Sequence, residues 1–111
     1  MEVIYMNLDL NIQGFEQNLI EKKSLYGGVQ YLFRFANRYG ASVVKHDGSY
    51  GSQLDLWELA VIYFDDHNEW EIDYDTAVTS DVEGYLKDED VRNLLKQIRD
   101  LHEQICEEEP A

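Results

Sequence analysis

Four carboxylates share one face of the segment Glu69-Trp70-Glu71-Ile72-Asp73-Tyr74-Asp75 when it is extended. A strand turns successive side chains to opposite faces, so Glu69, Glu71, Asp73 and Asp75 line one side. Trp70, Ile72 and Tyr74 take the other side and are expected to meet a core helix. Same-face residues on a strand stand roughly 6.6–6.8 Å apart, a step of the same order as phosphates along a nucleic-acid strand. Asp65 and Asp66 precede the row, and Asp81 and Glu83 follow it. The chemistry on offer is recognition: a file of negative charge that can lie in a basic groove built for nucleic acid. The same pattern also serves a plainer end, a charged edge that discourages sheet-to-sheet aggregation.

Other groups offer little reactive chemistry. Asp65, Asp66 and Asn68 supply oxygen ligands within four residues, but they lack the spacing and the turn glycine of a calcium loop. His46, His67 and His102 each stand alone in sequence. His102 and Cys106 fall one helical turn apart, and two ligands do not make a metal site. No signature surrounds Cys106 as a nucleophile. The loop Asp47-Gly48-Ser49-Tyr50-Gly51-Ser52 lacks the Gly-Lys-Ser/Thr ending of a phosphate loop and opens no helix. It reads as a mobile hairpin loop in which Tyr50 is an exposed aromatic anchor for a partner. The aromatics Tyr31, Phe33 and Phe35 resemble a base-stacking strand, but the basic surroundings that RNA-binding sheets need are missing, and core packing accounts for them. No catalytic residue, metal or cofactor is expected.

The elements that would position these groups follow from periodicity. Residues 1–14 alternate weakly and form either a flexible arm or an extra strand. Gln17–Leu25 reads as a strand, Tyr26-Gly27-Gly28 as a turn, and Val29–Phe35 as a strand with one aromatic face. Asn37–Gly40 turns into a strand over Ala41–His46, completing a hairpin. Leu54–Phe64 carries Trp57, Leu59, Val61 and Tyr63 on one face and further apolar residues on the other, as a central strand would. Glu69–Thr76 is the last strand. Ser80-x-x-Glu83 matches a capping box and predicts a short helix over Asp81–Leu86. A longer helix is expected from Asp88 to about Glu107. Its first turn is acidic, and its apolar stripe is Val91, Leu94, Leu95, Ile98, Leu101 and Ile105. The expected fold is α+β: an antiparallel meander of about four to five strands with a C-terminal helix on one face. It forms one domain over 1–111, with 107–111 an acidic tail.

Composition sets the class of partner. The 111 residues are 44% hydrophobic and 29% charged, which is globular rather than disordered. The formal net charge is −14 and unevenly placed. Residues 1–45 hold four acids and five bases, 46–86 eleven acids and no Lys or Arg, and 87–111 eight acids and four bases. That field disfavours direct contact with nucleic acid or an anionic membrane and favours basic partners. A single cysteine excludes an internal disulfide and fits a reducing compartment. The N-terminus lacks the basic and apolar regions of a signal peptide, and no apolar run nears the ~20 residues of a membrane span. A cytoplasmic protein is expected.

Four stretches carry a family resemblance: Tyr26-Gly27-Gly28-Val29-Gln30-Tyr31; Asn37-x-Tyr39-Gly40-Ala41-Ser42-Val43-Val44-Lys45-His46; Leu56-Trp57-Glu58-Leu59-Ala60-Val61; and Tyr74-Asp75-Thr76. In these the chain resembles a group of small bacteriophage and prophage proteins, over roughly residues 26–101. The resemblance implies a viral origin and expression in bacterial cytoplasm, and carries no activity with it. By analogy with anti-CRISPR and restriction inhibitors, it favours an inhibitor of a host or defence protein that grips nucleic acid. The residues expected to meet such a partner are Asp65, Asp66, Glu69, Glu71, Asp73 and Asp75, with Tyr50 or Trp57 as anchors. A structural or assembly protein, such as a homodimer joined at a sheet edge, is the second expectation. An enzyme using clustered carboxylates with a divalent metal is the third and weakest.

Overall fold

The structure is a computed structural model and describes residues 7–79 and 81–102. Five consecutive strands form an antiparallel meander: β1 (Leu19–Leu25), β2 (Gly28–Arg34), β3 (Tyr39–Lys45), β4 (Trp57–Phe64) and β5 (Trp70–Ile72). A sixth, β6 (Glu83–Leu86), also pairs with β4, and one helix, α1 (Asp88–Arg99), follows it. This is the expected α+β sheet with a C-terminal helix packed on one face.

The turns are written in local chemistry. Tyr26 and Gly27 both have positive φ between paired Leu25 and Gly28, as a two-residue hairpin of the right twist requires. The β2–β3 and β4–β5 turns each end on a left-handed residue, Arg38 and Asn68. In the second, the Asp65 carboxylate accepts from the backbone N–H groups of His67 and Glu69 at 2.8 and 3.0 Å.

Alternation gives the sheet two apolar faces. Tyr31, Phe33, Ala41, Val43, Trp57, Leu59 and Val61 meet Val91, Leu95 and Ile98 of α1 in the main core. Leu32, Ile62 and Phe64 form a smaller cluster on the opposite face, with Trp70 against it. β4 is thus apolar on both sides, as a central strand should be.

The structure refines or corrects several sequence expectations. Of the two readings of residues 1–14, the described part, 7–14, takes the arm, without strand pairing, and Leu10 of that arm is buried in the main core. Trp70 packs on the small cluster, because its partner Phe64 points away from the helix; it does not meet α1. β5 stops at Ile72 rather than Thr76, because the chain bends into a turn closed by Thr76 and Thr79. The segment expected to be a helix over Asp81–Leu86 is largely β6. It re-engages the edge of β4 at Trp57–Leu59, where backbone groups left by the short β5 still need partners.

α1 also ends at Arg99, short of Glu107. Three carbonyls at its C-terminal end, on Ile98 and Arg99 of the helix and on Leu101 just past it, accept from the Asn37 side-chain amide at 2.9, 3.2 and 2.8 Å. Ile105, Cys106 and the acidic tail lie outside the described residues.

Candidate interaction surface

β5 and β6 run in the same direction along one edge of β4, β5 ending at Ile72 and β6 beginning at Glu83. Together they make one interrupted edge strand. The acidic middle of the sequence therefore becomes one side of the sheet, while Lys22 and Lys23 stand on β1 at the far edge.

The six carboxylates expected to form a row are not equivalent. Asp65 is exposed and caps its own turn. The two backbone N–H donors, from Glu69 and His67, hold its carboxyl below the usual carboxylate range. Asp66 pairs with Arg38 at 2.7 Å. The Asp73 backbone N–H continues the ladder to Val61 O at 2.8 Å, and its carboxylate accepts from the Asp75 N–H at 3.0 Å. Glu69 and Glu71 are exposed and alternate with Trp70, so they lie on the sheet face that carries the main core, Glu71 opposite Tyr63, and Asp75 is exposed beyond them. The outward charge rests chiefly on Glu69, Glu71 and Asp75, with Asp65 and Asp66 at the adjoining turn.

The two aromatic anchors part company. Trp57 is 1% exposed and cannot contact a partner; its ring fills the main core. Its Nε1 donates to Asp88 at 2.8 Å, Tyr31 meets it edge-on, and Lys45 Nζ lies 4.2 Å from the ring centroid. Tyr50 is 59% exposed, as expected. It stands at the N-terminal end of β4, however, and the Asp65–Asn68 turn stands at the C-terminal end. Eight strand residues separate these by roughly 23 Å at ~3.3 Å per residue. Tyr50 and the carboxylate turn do not form one site.

Sequence reasoning missed what surrounds Tyr50. The loop 48–54 and Tyr85 of β6 enclose a cleft of ≈ 390 Å³. Leu54 and Tyr85 are 67% and 60% exposed at its rim. Gly84 was the available signal, since glycine is a poor residue for the middle of a short helix.

A buried polar knot lies beneath the N-terminal arm. Lys45, 2% exposed, donates from Nζ to Asn7 O at 2.7 Å and Asp55 Oδ1 at 2.9 Å. Partial burial opposes ionisation of Asp55, but the Lys45 hydrogen bond, the Asn7 N–H and the Lys45 charge outweigh it and lower its pKa. These contacts tie the arm to the sheet and leave no open acid–base pair.

Among the described residues, no group of three or more His, Cys, Asp or Glu is placed to hold a metal ion. Nor is any helix long and apolar enough to cross a membrane. No family model matches the chain, and no curated protein and no solved structure matches it.

Proposed function

We propose that this chain is an acidic, phage-encoded interaction protein of the bacterial cytoplasm. It would occupy the basic groove of a host or defence protein that handles nucleic acid, and so inhibit it. The observation that carries this reading is the β5–β6 edge. Eleven acids without a single Lys or Arg fall in residues 46–86, and that stretch supplies β4, its acidic turn and the whole interrupted edge. Glu69, Glu71 and Asp75 face solvent there beside Asp65 and Asp66. Opposed fields would speed association with a basic groove, and binding would weaken as salt screens them. The sequence resemblance to small bacteriophage proteins supports the viral origin.

The test is competition. A nucleic-acid-binding target captured by the protein should be released by free DNA or RNA and by raised salt. Capture that survives both would point to an apolar surface instead.

A second reading has its own observation. β1 is the opposite edge strand, seven residues long, with Ile20 exposed and Lys22 and Lys23 upon it. A basic edge and an acidic edge on one sheet suit association between copies of this chain, as in a structural or assembly protein. Sedimentation mass distinguishes the two readings.

A further inference from the structure

The cleft between the 48–54 loop and β6 is built with more backbone constraint than a mobile loop needs. The Tyr50 N–H donates to Glu58 Oε1 at 2.8 Å, and the Tyr85 N–H donates to Tyr50 O at 3.3 Å. A Cβ on Gly51 would come within 2.9 Å of the Tyr85 backbone, and one on Gly84 within 2.5 Å of Tyr50 Cβ. The two segments therefore touch through their glycines, which leaves both tyrosine rings free to stand outward. Tyr85 holds a φ of +58°, a left-handed conformation that an aromatic residue rarely adopts. Such strain persists only where the surroundings fix it, and it gathers at ligand-contacting positions. Three large apolar groups, Tyr50, Leu54 and Tyr85, are thus held at one cleft in water.

The electrostatics choose the occupant. Glu58 sits at the Tyr50 backbone, Asp47 adjoins the loop, and the stretch from residue 46 to residue 86 holds no Lys or Arg. The flanking bases in sequence are Lys87, exposed two residues past Tyr85, and Lys45, which is buried in its contacts with Asp55 and Asn7, so the acids outnumber the bases around the cleft. Exposed tyrosine faces in a negative field are complementary to guanidinium, which is planar, weakly hydrated and stacks on aromatic rings. Tyrosine also gives contact area at low entropic cost.

We propose that this cleft is a docking site for an arginine-bearing peptide segment of a protein partner, with Tyr50 and Tyr85 as the stacking faces. The site lies at the other end of β4 from the Asp65–Asn68 turn and does not depend on the acidic edge being a partner surface.

The experiment is amide NMR on the full chain at physiological salt, titrated with the peptide acetyl-Gly-Arg-Gly-Arg-Gly-amide and its lysine counterpart. Shifts should concentrate at residues 48–54 and 84–85, with arginine binding tighter than lysine. The double variant Y50A/Y85A should weaken arginine-peptide binding about fivefold or more, the loss of two exposed cation–π contacts. Y50F/Y85F keeps the rings and should bind within twofold of the parent. E69Q/E71Q should leave these shifts in place, which separates this site from the acidic edge. Shifts confined to residues 69–75, equal binding by the Y50A/Y85A variant, or loop shifts that depend on protein concentration without peptide would each overturn the proposal. The last of these would assign the cleft to self-association.

Discussion

The indole Nε1 of Trp57 donates to the Asp88 carboxylate at 2.8 Å, joining the first residue of β4 to the first residue of α1. The second Asp88 oxygen accepts from the Asn11 N–H at 3.0 Å, so one carboxylate fastens strand, helix and arm. Asp88 also sits at the positive end of the helix, where a negative charge is favoured. Trp57 is consequently a structural residue. Trp57→Ala should cost about 3–5 kcal/mol and Asp88→Ala about 1.5–3 kcal/mol, read by chemical denaturation. Tyr50→Ala should stay within about 0.5 kcal/mol. A mild Trp57→Ala would contradict this assignment.

The Lys45–Asp55 contact makes a pH prediction. The folded-state pKa of Asp55 is lowered, so its contribution is present above the unfolded value near pH ~4 and is lost as pH falls through the folded value. Asp55→Asn keeps the shape and tolerates the residue's φ of +60°. It should remove about 0.5–1 kcal/mol at neutral pH, since the carboxylate is nearly half exposed and solvent-screened. It should also flatten the fall in stability below pH ~4. Denaturation midpoints of parent and variant at pH 7 and pH 3 check the sign, and the gap between them should narrow in acid.

Gly40 permits a close approach between β2 and β3. A Cβ there would stand 1.9 Å from Phe33 O and 3.1 Å from Phe64 Cε2. Gly40→Ala should destabilise by about 1–3 kcal/mol as the hairpin shifts to admit a methyl group. Gly48 has open space and only its positive φ to lose, so Gly48→Ala should cost about 1 kcal/mol. Reversed order in thermal unfolding would contradict the packing described for β2 and β3.

Asn37 stops α1 from a turn 61 residues away in sequence. Asn37→Ala should cost about 1–2 kcal/mol and speed hydrogen exchange in the last turn of the helix, leaving the sheet amides protected. Uniform loss of protection would mean that Asn37 acts on the hairpin rather than on the helix end.

The contrast between these residues shows what sequence could convey. The β2–β3 hairpin was legible because Val29–Phe35 alternates and Asn37–Gly40 carries turn residues, although the left-handed position falls on Arg38 rather than on Asn37 or Gly40. The helix start was legible in its acidic first turn, and Asp90 does accept from the Lys87 N–H at 3.0 Å. Its end was not, because the apolar period runs on past Arg99 while the stop comes from distant Asn37. β6 was hidden by a local capping pattern, because what decides it is the free edge of β4, a tertiary demand. Of the anchors, Tyr50 was found and Trp57 misassigned. The place of Trp57 beside Leu59 and Val61 on a central strand already pointed to the core, whereas the Tyr50–Tyr85 cleft exists only once β6 is a strand.

The most direct test of the acidic edge is paired affinity capture from bacterial lysate, using the parent chain and Glu69→Lys/Glu71→Lys. Bound proteins are eluted first by free nucleic acid and then by salt, and identified by mass. Both substituted side chains are exposed, so the double variant should unfold within about 0.5 kcal/mol of the parent. The expected result is a nucleic-acid-handling protein that the parent holds, that free DNA or RNA releases, and that the variant fails to retain. Equal retention by the folded variant, or recovery of the chain itself alone, would contradict the carboxylate edge as the partner surface.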